Sequence, residues 1–251
     1  MKAQLSGKAV LVTGASRGIG AAIAKLCHQA GARVLLHASG PSDMATSAAD
    51  AAGRNADDLL YEDLSRPGAG ARLVARATEK AGRVDAVVNN AGVYLASPLS
   101  GGEQEWRDGW ATTMAVNVQA PADICRAAIS HFRKADGGIV VNIASRAGHR
   151  GDGPDHAAYA ASKGAVLAMT KTYARALSGE NILFYAIAPG WVETRMAPQD
   201  IEARKNAVHD IPLGRVAAPE EIAAMTVFLL TGVCASATGA TFDINGASYV
   251  R

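Results

Sequence analysis

Short, nearly unbroken apolar runs alternate along this chain with longer stretches whose apolar residues recur every three or four positions. The runs KAVLVTG (8–14), RVLLHA (33–38), LLYEDL (59–64), VDAVVNNAG (84–92), GGIVVNIAS (137–145), ILFYAIAPG (182–190) and ATFDING (240–246) predict seven strands. Helical spacing predicts a helix over 19–31, stopped by Gly31, and others near 67–81, 103–134, 157–178 and 219–230. Strands that are apolar on both faces must be covered on both faces. The alternation therefore implies an α/β fold: a doubly wound, mostly parallel seven-stranded sheet with helices on either side. No composition break, linker or internal repeat divides residues 1–251, so a single domain is expected. The segment ETRMAPQDIEARKNAVHDIPLG (193–214) stands apart, being polar, carrying two prolines and following a strand end. A mobile substrate lid and a plain surface excursion are both open for it.

Composition narrows the function classes. Of 251 residues, 49% are hydrophobic and 19% charged, which supplies a sizeable core and argues against disorder. The net charge of +2 is scattered, with no patch suited to nucleic acid and no polybasic membrane anchor. No apolar run reaches membrane-spanning length, and MKAQLSGKAVLVTG has too little apolar sequence before its glycine for a signal peptide. A soluble, cytoplasmic protein is expected. Cys27, Cys125 and Cys234 fit no metal or redox spacing and read as buried or incidental thiols. No His, Asp and Glu spacing suits zinc, so no metal is expected.

Chemistry enters at TGASRGIG (13–20), which joins the first strand to the first helix. Gly14 permits a tight turn, and Gly18 and Gly20 remove side chains where a ligand or neighbouring backbone must approach. The helix that follows offers free N–H groups and a positive dipole end to a pyrophosphate. A second signal is YAASK (159–163), whose Tyr159 and Lys163 share one helix face. A free tyrosine, with a pKa near 10, is a poor acid or base at neutral pH, and a nearby ammonium is expected to lower that value.

The spacing G-x-x-x-G-x-G, with NNAG (89–92), YAASK (159–163) and APG (188–190) in that order, resembles the classical short-chain dehydrogenase/reductase family over nearly the whole chain. The overall look is similar to its 3-oxoacyl-[acyl-carrier-protein] reductases. The resemblance implies a Rossmann-like fold and hydride exchange between a nicotinamide cofactor and a carbonyl or secondary alcohol. It implies that Tyr159 exchanges the proton with the substrate oxygen and that Lys163 also binds the nicotinamide ribose. Ser145 would hydrogen-bond the substrate oxygen, and Asn117 would hold a water in a proton relay to the lysine. By the same resemblance Gly14, Ser16, Arg17, Gly18, Ile19 and Gly20 would line the pyrophosphate. Asp63 and Leu64 would contact adenine, and Asn89, Ala91 and Gly92 the adenosine ribose. Pro189, Gly190, Val192 and Thr194 would hold the nicotinamide, with Thr194 at its carboxamide.

The end of the second strand, LLHASGPS, has no carboxylate until Asp43 to repel a 2′-phosphate. Arg17 lies in the glycine loop, and His37 and Ser39 offer further hydrogen bonds. NADP(H) is therefore favoured and NAD(H) remains possible; His37 has packing against adenine as its other reading. The polar stretch RAGHRGDGPDHAA (146–158) bridges Ser145 and Tyr159, and reads either as a pocket wall for a polar substrate or as a solvated loop. Trp191 and the 193–214 segment would form the opposite wall. Aromatic residues are only 5% of the chain, so a large aromatic-lined pocket is not suggested. A 3-oxoacyl thioester, a sugar or polyol, and a steroid all remain open as substrate. Arg126, Arg133 and Lys134 are candidates for a carrier-protein contact, or for a solvated helix face. A non-catalytic nucleotide sensor is the reading from another class. A homotetramer is what the resemblance implies, with the long helices near 103–134 and 157–178 and the last strand at its interfaces.

Overall fold

The computed structural model describes residues 4–53, 58–197 and 200–251. Seven strands form one sheet in the order β3-β2-β1-β4-β5-β6-β7. They are β1 (Ala9–Val12), β2 (Arg33–Ala38), β3 (Leu59–Tyr61), β4 (Ala86–Asn89), β5 (Gly138–Ile143), β6 (Ile182–Pro189) and β7 (Thr241–Ile244). Every pairing is parallel, as in Val10 opposite Val34 and Ala86. The strand order reverses between β1 and β4, which opens a crevice at their carboxyl ends.

Alternate residues of each strand enter different cores. Val10, Val12, Val34, Leu36, Val88, Val141 and Ile187 meet helices α1 (Gly18–Gln29) and α9 (Pro219–Leu230) through Ile23, Cys27, Ile222 and Val227. Leu11, Leu35, Val87, Val140 and Phe184 face the other way, onto α3 (Ala69–Ala81), α5 (Ala120–Phe132) and α7 (Ala157–Leu177). Each fully buried Leu, Ile or Val contributes roughly 1.5–3 kcal/mol of transfer free energy. The apolar strands read from the sequence are thus the floor of both cores.

Four features differ from the sequence expectation. The strands are shorter, because TG after β1 and NAG after β4 leave the sheet to build the crevice. A further helix, α2 (Asp43–Ala51), is started by the Ser42 hydroxyl accepting from the Ala45 N–H at 3.2 Å. The stretch 103–134 is broken: α4 (Glu103–Met114) passes through a π-helical turn (Ala115–Gln119) into α5. The 193–214 segment holds α8 (Ile201–His209), capped by Asp200, while positions 198 and 199 lie outside the described residues. Among the described residues no helix is long and apolar enough to cross a membrane, and no cluster of side chains suits a metal ion.

Candidate active site

The crevice is built first by backbone. Gly14 and Gly18 hold φ of +62° and +54°, a region open chiefly to glycine. A Cβ on Gly14 would lie 2.8 Å from Ala91 Cα, and one on Gly20 would strike the Gly14 carbonyl and the Asn90 amide. Gly20 therefore serves packing of the loop on α1. Gly18 instead faces Thr194 across the cleft, its missing Cβ 3.1 Å from Thr194 Cγ2. Arg17 gives α1 no side-chain cap, so the first N–H groups of the helix stay available to an anion. Ser16 and Ile19 are half-buried in the same turn. This donor set fits a dinucleotide pyrophosphate.

The nucleotide end needs a correction at His37. Its ring is 2% exposed. Nδ1 accepts from the Gly14 N–H at 3.1 Å, and Nε2 lies 2.9 Å from the Glu62 carbonyl, to which it donates. Burial holds its pKa down and keeps it neutral. Both nitrogens are committed to bracing the glycine loop, so His37 is available neither to a phosphate nor to stacking on adenine. Arg17 and Ser39 are exposed, and among the described residues the Arg17 side chain has no ion pair or hydrogen-bonding partner. Nearby acids are occupied. Glu62 pairs with Arg72 at 2.7 Å and Arg76 at 3.6 Å, and Asp63 accepts from Ser65 and Arg66. Leu64 belongs to the core below.

At the end of β4, Thr13 accepts from the Asn90 and Ala91 N–H groups at 2.9 and 3.0 Å, while Asn90 donates to the Thr13 and Gly14 carbonyls. These two residues weld the glycine loop to the NNAG loop. Asn89 does not face the crevice. Its amide donates to Asn142 at 2.9 Å, and Asn142 donates to Thr170 at 2.9 Å. That buried chain ties β4, β5 and α7 together, and α7 carries Tyr159 and Lys163.

Ser145 ends the run after β5. Its hydroxyl accepts from the Ala147 N–H at 3.1 Å, at the start of the short helix α6 (Ala147–Arg150), and lies near enough to the Tyr159 phenol to favour its ionised form. A Cβ on Gly148 would lie 2.7 Å from the Lys163 carbonyl carbon, so this glycine lets α6 sit directly on α7. Lys163 is 5% exposed and donates to the Ile143 carbonyl at 2.9 Å, with Nζ 5.6 Å from the Tyr159 ring centroid. Burial lowers its pKa to about 8 and raises that of Tyr159 to about 12, the neighbouring Ser145 hydroxyl pulling the phenol the other way. This reverses the expected direction for the tyrosine: desolvation outweighs the ammonium, which bonds to Ile143 and not to the phenol. Tyr159 is thus a proton donor across the neutral range.

Asn117 sits in the π-helical turn, a distortion frequent at functional sites. Its side chain accepts from the Val93 N–H at 2.8 Å and donates to the Val93 carbonyl at 2.9 Å and to Ser162 at 3.1 Å. Both amide hydrogens are used, so the side chain is a clamp between the NNAG loop and α7. Gly92 lies against it, its missing Cβ 3.3 Å from Asn117 Oδ1 and 3.5 Å from Lys163 Nζ.

The remaining walls were only partly legible. Tyr94 stacks on His156 with ring centroids 4.0 Å apart, and meets Tyr159 and Trp191 edge-on at 4.8 and 6.2 Å. Four rings therefore border the reacting groups, against the expectation of a pocket poor in aromatics. Composition missed this because the rings come from three separate segments, around Tyr94, His156–Tyr159 and Trp191. Asp152 and Arg146 both lie within electrostatic reach of the Tyr94 hydroxyl. Residues 146–158 hence supply a polar wall. Opposite, Pro189 ends β6, Gly190 packs on Asn245, and Val192 pairs with Ala217. Glu193–Ala217 and Leu213–Gly246 backbone bonds pin both ends of the segment bearing α8. Away from the crevice, Arg133 is paired with Glu180 at 2.6 Å.

A family model described as enoyl-(acyl carrier protein) reductase matches residues 14–246. A 3-oxoacyl-[acyl-carrier-protein] reductase of Thermotoga maritima is 34% identical, over 97% of this chain and 98% of its own. Two crystal structures superpose with a TM-score of 0.89. One is a blue fluorescent protein from a metagenomic library in complex with NADPH, 33% identical, covering 98% of this chain and 100% of its own. The other is a short chain dehydrogenase from Burkholderia cenocepacia in complex with NADP, 31% identical, covering 98% and 99%.

Proposed function

The chain belongs to the short-chain dehydrogenase/reductase family of NAD(P)-dependent oxidoreductases, and on that premise we propose that it is a carbonyl reductase favouring NADPH. The observation that carries the reading is Tyr159, with Ser145 beside its phenol and the buried Lys163 Nζ 5.6 Å from its ring centroid, next to a glycine-loop crevice. The loop of Gly14 to Gly20 would hold the pyrophosphate, with the ends of β4 and β6 beside the ribose and nicotinamide. Hydride transfer is the chemistry a nicotinamide supplies when bound. Ser145 orients the substrate oxygen and steadies its developing charge. Tyr159, protonated at neutral pH, donates its hydroxyl proton to that oxygen. Lys163 holds positive charge beneath the ring, which eases loss of the proton. Asn117 keeps Val93 and α7 in register. Retention of all four side chains argues against a non-catalytic sensor.

Arg17, exposed and unpaired, beside a β2 end without a carboxylate, supports NADPH. The polar 146–158 wall supports a polar carbonyl substrate. A 3-oxoacyl thioester is the second reading, supported by the name of the Thermotoga relative and by exposed Met196, Ile201 and Leu213 on the 193–214 segment, which suit an acyl chain. That segment is proposed as a cover over a single catalytic unit. A homotetramer is also proposed, supported by exposed Phe228 on α9 and exposed Val250 beyond the last strand, and light scattering tests it.

The test is titration with NADPH and NADH, followed by turnover of a 3-oxoacyl thioester, a diketone, a ketosugar and a ketosteroid. NADPH should bind about tenfold tighter, and Arg17→Ala should remove most of that difference. Equal affinity for both cofactors, or an unaltered ratio in the variant, would sink the NADPH assignment.

A further inference from the structure

Arg146 follows Ser145 directly, and the known chemistry of the site makes no use of it. It is 7% exposed, and its Nη1 is buried with neither solvent nor a hydrogen-bond acceptor. Its backbone is fixed: the N–H bonds to the Pro189 carbonyl at 2.9 Å, and its own carbonyl accepts from His149 and Arg150. Every other arginine so deeply enclosed would be expected to meet a carboxylate, because a buried guanidinium without a partner is costly. Among the described residues none lies within ion-pair distance of Arg146. Asp152 and Asp210 reach it only at longer range, where they oppose Arg150, and Asp152 already accepts from the Gly153 N–H at 2.8 Å. Burial accordingly depresses its pKa, although an arginine keeps its charge at any working pH.

Position gives that vacancy a meaning. Ser145, beside the Tyr159 phenol, precedes Arg146 directly, and Tyr94, within the field of Arg146, packs edge-on against the Tyr159 ring with centroids 4.8 Å apart. Arg146 therefore sits next to Ser145 in the chain, buried, and within electrostatic reach of the Tyr94 ring that packs on Tyr159. Its planar fork of donors matches a carboxylate better than any neutral oxygen, and such pairs are strongest where water is excluded. We propose that Arg146 receives a carboxylate of the substrate, so that the preferred substrates are oxo acids carrying an ionised carboxylate a short distance from the carbonyl. This rests on the carbonyl-reductase reading of Tyr159 and narrows it to an anionic substrate class, in contrast to an uncharged thioester.

The test is kcat/KM with NADPH for 2-oxo, 3-oxo and 4-oxo acids of four or five carbons, each beside its own primary amide, with diacetyl as an uncharged reference. At one chain length or more the acid should exceed its amide by about tenfold or better, and Arg146→Met should bring that ratio close to one. Arg146→Lys should restore part of the ratio, which a merely structural arginine would not do. Ratios near one at every length in the unaltered protein, or a ratio unchanged in Arg146→Met, would overturn the proposal. If Arg146→Met does not fold, the unaltered protein still decides: malonate should inhibit diacetyl reduction competitively and about tenfold better than malonamide, and equal inhibition would overturn it. The underlying reading fails separately. Diacetyl turnover that survives Tyr159→Phe removes the catalytic assignment, whereas Tyr159-dependent turnover with no acid preference removes only the role of Arg146.

Discussion

The nucleotide half of the crevice and the substrate half are made in opposite ways. Around Gly14 to Gly20 the site is defined by atoms that are missing: a Cβ on Gly14 or Gly20 would run into Ala91 or into the loop itself. Several polar side chains that remain are committed to bracing the loop, as in His37, Thr13 and the Asn90 amide nitrogen, which leaves the first N–H groups of α1 and exposed Arg17 for the cofactor. Around Ser145 to Tyr159 the site is defined by side chains that are present, and some are left wanting, as in the buried Nη1 of Arg146. A shared cofactor needs only close backbone approach, which many sequences can supply through glycine. A particular substrate needs donors and rings in a particular array. The first half thus records the family and the second records the individual protein.

The contrast is easiest to break by adding one carbon to the nucleotide half. Gly20→Ala should lower stability by about 3 kcal/mol, because the new methyl meets backbone that cannot step aside, and NADPH affinity should fall with it. A urea midpoint and an NADPH titration measure both, and a variant matching the parent in each would show that the loop has slack. Next in size is Asn117→Leu, at the seam of the halves. It removes the only side-chain partners of the Val93 N–H and carbonyl shown here, at a cost of about 2 kcal/mol. If stability is unchanged but the rate falls, Asn117 acts on the reaction and not as a clamp.

Smaller effects come from two buried bases, one in each half, whose pKa values are both depressed. In each case the unfolded chain binds more protons than the native state between the two pKa values, so stability rises with pH there. For His37 the stability present above its ordinary pKa of 6.5 is lost as the pH falls below that value. For Lys163 it grows from about pH 8 toward the ordinary value of 10.5. Urea midpoints across both windows should lose the lower slope in His37→Gln and the upper slope in Lys163→Met. Parallel curves for parent and variants would contradict the burial of these groups. The rate should also fall above about pH 8, where Lys163 loses its charge.

The same contrast governs what could be read in advance. The strands were legible because all but β7, which carries exposed Asp243, are nearly apolar on both faces, and the glycine loop and Tyr159–Lys163 spacing because both are local. The α2 and α8 helices were not, since their apolar positions are few and Ser42 and Asp200 start them through capping bonds. The π-helical turn leaves no trace in a 3.6-residue rhythm. Tyr94, His156, Tyr159 and Trp191 meet only through the fold. His37 looked like a ligand because its two partners, Gly14 and Glu62, are distant in sequence.

The most direct test of the central claim is a single turnover of NADPH with a carbonyl substrate, followed by absorbance at the nicotinamide band, in the parent and in Tyr159→Phe. The account predicts a rate loss of about a thousandfold in the variant, with its NADPH affinity unchanged, because only the proton donor has been removed. A variant that oxidises NADPH at the parental rate would contradict the assignment of Tyr159 as the acid.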